Sequence, residues 1–182
     1  MTGDEQRDAH SSPVEDPLAV RTALQPILDL DLLKWHGLPA VTASTLQAAL
    51  GPSSRSEAVR LGRFPARKET YPIESRSGGL AAYVRDEGVL LVETLVAPPI
   101  SVIEGLEPPT AIMPHEVLDD HGYVHEYLYA QRGLVLGIAE PFDKTQPLKI
   151  VRCRGFHPIR DAADFGPDLY MPFEDRISYE GR

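Results

Sequence analysis

Apolar residues recur at mixed spacings of three and four between residues 18 and 33, as Leu18, Val20, Leu24, Ile27, Leu28, Leu30, Leu32 and Leu33. That period predicts an amphipathic helix. Asp16 stands where an N-cap side chain accepts from free N–H groups, and Pro17 stands at the first helical position. Pro26 then bends or breaks the element, and Trp35 with Gly37-Leu38-Pro39 stops it. A second short helix is expected from Thr42 to Leu50, capped by Thr42 or Ser44 and ended by Gly51-Pro52, with Leu46, Ala49 and Leu50 on its buried side. Residues 53–67 show no clean period and allow one further helical turn at Ser56 to Leu61.

From Thr70 the period changes to two. Thr70 to Ile73 reads as a short edge strand, because Pro72 lacks the N–H that a central strand would donate. Gly79 to Arg85 and Val89 to Val96 read as stronger strands, joined at Asp86-Glu87-Gly88 with Gly where positive φ is wanted. These three form an antiparallel meander. The pattern then starts again: Ile100 to Leu106 reads as a short helix ending in Glu107-Pro108-Pro109, a polar linker runs to Gly122, and strands follow at Val124 to Gln131, Gly133 to Glu140 and Leu148 to Phe156. Leu106 falls 56 residues after Leu50 and Pro108 56 after Pro52, while Gly133-Leu134 falls 54 after Gly79-Leu80. Two readings stay open for this periodicity, an internal duplication or two unrelated hairpins in one sheet. The expected fold class is α+β: N-terminal helices, then two repeated units of a short helix plus a three-stranded antiparallel β-meander, then an irregular C-terminal wrap. The divisions are 1–13 as a polar tail, 14–98 as the helices and first unit, 99–160 as the second unit, and 161–182 as the wrap, with 14–182 forming one domain.

Composition narrows the class of function. Seventeen prolines and 14 glycines point to many turns and short elements, against a long helical bundle. The formal charge of −9 is spread along the chain, and its basic runs are interrupted by acids or apolar residues. Nucleic acid is therefore an unexpected partner, since phosphate binding needs clustered Lys and Arg. No apolar run approaches the roughly 20 residues that span a bilayer, so no membrane segment is expected. The start, MTGDEQRDAHSSPVED, lacks the basic and apolar regions of a secretory signal, and the single Cys153 cannot form an internal disulfide. A cytoplasmic protein is expected.

Candidate chemistry gathers near residue 121. His115, His121 and His125 lie among Glu116, Asp119, Asp120 and Glu126, a mixed set with ligands suitable for zinc or iron. Their spacing matches no metal signature; on a strand, His121 and His125 would share a face about 13 Å apart. The expectation is no bound metal and no cofactor. Cys153 alternates with Arg152 and Arg154, which places it with Val151 on the core side. No GxSxG, GxGxxG or GxxxxGK[ST] motif occurs. Tyr123, His125, Tyr127 and Tyr129 share one face of a strand beside acidic loops, and such rigid amphipathic rings are favoured at protein interfaces. The same strip would also suit packing beneath the helices.

The order of short helix, Leu50-Gly51-Pro52, Tyr71, Gly79-Leu80, and again Leu106, Pro108, Tyr129 and Gly133-Leu134, resembles the tandem helix-plus-meander repeats of the β-lactamase inhibitor protein and of the small outer-membrane assembly lipoproteins. The resemblance covers about 115 of the 182 positions. It implies an architecture and protein binding as the task. Those families are exported and carry disulfides or a lipidation cysteine, which this chain does not show. The leading expectation is a non-enzymatic protein-binding protein, in its narrower form an inhibitor or immunity protein covering a basic partner with Tyr123, His125, Tyr127 and Tyr129. The alternative is a small enzyme or small-molecule-binding protein with a pocket near His115, His121 and His125. A homo-dimer pairing through the Thr70 to Ile73 edge is a third reading.

Overall fold

The computed structural model describes residues 12–61, 64–118 and 122–160, with the side chains of 114–118 left aside. The expected N-terminal tail and the C-terminal wrap at 161–182 lie outside the described residues. Helix α1 spans Pro17–Leu28. Its Asp16 carboxylate accepts from the Leu18 N–H at 3.0 Å, and Val20, Leu24, Ile27 and Leu28 form its buried stripe. Helix α2 spans Ala43–Leu50, with the Thr42 hydroxyl accepting from the Thr45 N–H. Both caps and α2 stand where the sequence places them, whereas α1 ends at Leu28, two residues after Pro26, and the stretch expected to continue it to Trp35 holds only a 3-10 turn at Leu32–Lys34.

Eight strands follow: β1 Arg55–Leu61, β2 Phe64–Pro72, β3 Gly79–Arg85, β4 Gly88–Thr94, β5 Ala111–Leu118, β6 Gly122–Tyr129, β7 Leu134–Pro141 and β8 Lys149–Phe156. They make one antiparallel sheet in the order β1-β2-β3-β4-β8-β7-β6-β5. An α+β arrangement is therefore present, but the strands join in a single large sheet and not in separate three-stranded meanders. The expected helical turn at Ser56 to Leu61 is instead strand β1, paired along its length with β2. The expected polar linker before Gly122 contains β5. Both are the terminal strands of the sheet, where a missing neighbour leaves the apolar alternation weak. β1 pairs with β2 as far as Thr70, so most of β2 is interior to the sheet, while Tyr71 and Pro72 pair with β3 alone and Pro72 meets no partner that needs its missing N–H. The short helix expected at Ile100 to Leu106 is a 3-10 turn, Ile100–Gly105, with no fully buried residue. At the β3–β4 hairpin the positive φ falls on Asp86 and Glu87, the two central positions of a type I′ turn, and not on Gly88.

Two packed layers result. α1, α2 and the segment between them cover one face of the sheet, burying Tyr71, Leu80, Ala82, Val84, Val92, Leu134, Leu136, Ile138 and Cys153 against Val20, Leu24, Ile27, Leu28, Trp35 and Leu46. The opposite face carries a second cluster of Leu61, Ala81, Tyr83, Leu91, Leu128, Val135 and Phe156, to which neither α-helix contributes. Expected burial of Cys153 is met, and desolvation pushes its thiol up to about 12. Val151, expected beside it, sits at an irregularity in the β7–β8 register and is exposed.

Strands β1 to β4 and β5 to β8 meet along β4–β8, where only Leu91↔Phe156, Val92↔Gly155 and Glu93↔Arg154 pair. So short a ladder needs support from outside the sheet. Trp35 supplies it: its ring lies where a Cβ on Gly155 would fall 2.5 Å from Cζ2, and its Nε1–H donates to the Gly133 carbonyl at 3.1 Å. Leu38 N–H donates to the Phe156 carbonyl at 2.9 Å. Arg132 then clamps the helical segment, donating from Nη1 to the carbonyls of Leu32, Leu33 and Trp35 and bidentately to Glu107 at 2.9 and 2.7 Å.

Replacing Trp35 with Ala removes ring, hydrogen bond and plug together, and is expected to lower the unfolding free energy by about 3–5 kcal/mol, read from denaturant midpoints. Hydrogen bonding from Arg132 holds the Glu107 carboxyl below its ordinary value. A depressed folded-state value means stability that is present above the unfolded value and lost as pH falls through the folded one. Wild type should therefore exceed Glu107→Gln in stability at neutral pH, and the difference should fade as pH falls below the ordinary value of 4.5.

Candidate functional site

Strand β6 alternates sides, so Tyr123, His125, Tyr127 and Tyr129 face the helix-bearing side while Val124, Glu126 and Leu128 face the other. The strip is not uniform. Tyr129 is 3 % exposed and belongs to the core, where burial pushes its phenol up to about 12. Tyr127 packs half-buried against that core. His125 is half-buried, and Tyr123 is 44 % exposed. The strip thus leaves the helical layer along its length, and its outer end is a surface.

Three residues not singled out from the sequence complete that surface. Ile112 of β5 lies opposite Tyr127 and is 53 % exposed. Phe142, 45 % exposed, follows β7 and meets the Tyr123 ring edge-on, with centroids 4.9 Å apart and planes at 89°. A turn follows it, in which the Asp143 carboxylate accepts from the Thr145 N–H at 3.0 Å and from its hydroxyl at 2.7 Å. Those bonds hold the Asp143 carboxyl below its usual range. Glu140 pairs with Tyr123 across β6–β7, and its carboxylate bonds His125 Nε2 at 3.1 Å and the Lys144 ammonium. Lys144 first, then His125, holds the Glu140 carboxyl low. A large aromatic in a Pro- and Asp-rich turn was the available signal for Phe142.

Of the histidine cluster, only His125 has a described side chain. His115 is placed in β5 with its backbone opposite Val124, and Glu116 lies at a register irregularity beside it. Asp119, Asp120 and His121 lie outside the described residues. Glu126, close in sequence, is on the opposite face from His125. No group of three or more described His, Cys, Asp or Glu residues is placed to hold a metal ion.

A cavity of about 140 Å³ opens beside Glu140, lined by Gly122, Ala139, Pro141, Gln146, Pro147 and Lys149. Pockets for drug-sized ligands run from roughly 300 Å³ upward, so this one suits a side chain better than a substrate. A larger groove of about 500 Å³ lies beside the β3–β4 turn, where Asp86, Glu87, Thr42 and His157 line it together with apolar residues such as Val41 and Val89. His157 Nδ1 is engaged by the Leu38 carbonyl at 3.1 Å. Among the described residues no helix is long and apolar enough to cross a membrane.

Comparison with protein-family models, with curated proteins and with solved structures gives no match for this chain.

The gradient along β6 separates packing from surface by substitution. Tyr129→Ala is expected to cost about 3–5 kcal/mol, as large core truncations do, whereas Tyr123→Ala should change stability by no more than about 0.5 kcal/mol. Chemical denaturation of the two variants checks both values.

Proposed function

We propose that this protein is a non-enzymatic binding protein that engages a protein partner through the outer end of the tyrosine strip, with Tyr123, Phe142, Ile112, His125 and Tyr127 as its contacts. The observation that carries this reading is the pair Tyr123 and Phe142. Both rings are close to half exposed, yet they pack edge-on against each other, Tyr123 being placed by its strand register. Preorganised aromatic rings give contact area at small entropic cost, and binding energy concentrates on such anchors. Tyr129 supports the strip from the core and is not a contact residue. A net charge of −9 favours a basic partner. In its narrowest form the reading is an inhibitor or immunity protein.

The duplicated-unit reading is part of the same proposal. It is supported by β3 and β7, which begin at the two Gly-Leu pairs and stand second from the β4–β8 seam on either side.

Full-length protein, tagged and expressed in its native host, provides the test. Proteins that co-purify with wild type and with Leu18→Ala should fall on the order of tenfold with the double variant Tyr123→Ala, Phe142→Ala. Loss of two anchor rings without loss of any co-purifying protein would remove the reading.

A further inference from the structure

The second face of the sheet poses a different question. Its centre is ionic as well as apolar. Arg154, 5 % exposed, donates from Nε to Glu93 at 2.5 Å, and Glu126, 2 % exposed, lies 3.9 Å from Arg154 Nη1 and 3.6 Å from Arg152 Nη1. Burial raises the Glu126 carboxyl above its ordinary value against the pull of both arginines. Among the described residues Nη1 of Arg154 is buried with no hydrogen-bond partner, and the same is true of Nη1 of Arg85, whose guanidinium lies 4.7 Å from the centre of the Phe64 ring. A buried guanidinium nitrogen without an acceptor is costly. Lys68 stands on the same face over the Tyr83 ring.

We propose that the occupant of this second face is the chain's own C-terminal segment, residues 161–182, laid across Tyr83, Leu91, Leu128, Val135 and the Arg154–Glu126 pair. Three observations point to it over any other occupant. The described chain ends on this face: Ile159 packs against the second cluster and its N–H donates to the Ala130 carbonyl at 3.0 Å. The 22 residues beyond Arg160 reach about 70 Å when extended, whereas eight strands span roughly 38 Å. Their composition matches the floor, with Phe165, Tyr170, Met171, Phe173 and Tyr179 for the apolar cluster and six carboxylates against two arginines for Arg85, Arg152, Arg154 and Lys68. The inference is independent of the partner surface, which lies on the other side of the sheet.

A spin label tests this in the full chain. Cys153 is the only cysteine and is buried, so a nitroxide attached at Asp168→Cys, or at Asp175→Cys should the first variant fold poorly, marks the segment alone. The methyl signals of Leu91, Leu128 and Val135 should be lost, with those of Leu24 and Leu46 under the helices retained, and the loss should persist when the labelled chain is diluted into unlabelled, unmodified protein. Loss that disappears on dilution would assign the face to a second copy and overturn the proposal. So would loss at Leu24 and Leu46 instead, or no loss at any methyl group.

Discussion

The β4–β8 seam is the constraint on which the rest of this structure depends. Three residue pairs hold two four-stranded runs together, and a ladder that short does not fix the relation between them without help. The help comes from the connection between α1 and α2. Trp35 fills the space that Gly155, having no Cβ, leaves open to the indole, and its N–H donates to the carbonyl of Gly133, whose φ is +60. The residues that look like helix-breaking punctuation in the sequence are thus the joint of the molecule. Arg132 extends that joint outward, donating to the carbonyls of Leu32, Leu33 and Trp35 in and just after the 3-10 turn at Leu32–Lys34.

This joint also determines where surface is available. Helices anchored at the seam cover the middle of one sheet face, so β6 begins beyond them and ends beneath them. Tyr129 becomes core and Tyr123 becomes surface for the same geometric reason, three two-residue periods apart along one strand. Phe142 and Ile112 extend the exposed end, and the Glu140 carboxylate, shared by His125 and Lys144, borders it.

Much of this was legible in the sequence where burial is two-sided or where caps are explicit. Asp16, Thr42, the two Gly-Leu strand starts and the apolar runs of β3, β4, β7 and β8 each signal their element through one local rule. β1 and β5 are silent because a terminal strand has one neighbour and little to bury; RSEAVRL has a single fully buried residue. The shared face of Tyr123, His125, Tyr127 and Tyr129 follows from alternation alone. Its division into core and surface does not, because that depends on where helices distant in sequence end. The single sheet likewise rests on the contact between β4 and β8, strands 60 residues apart whose pairing no local pattern encodes.

A protein partner seated on the exposed aromatic end of β6 is what we propose for this molecule. Photo-crosslinking in the native host tests it most directly, with a photoreactive phenylalanine analogue incorporated in place of Tyr123 and, separately, in place of the equally exposed Phe64 on the other face. A discrete cross-linked product from position 123, absent at position 64, is the result the account predicts. A product from position 64 with none from position 123 would contradict it.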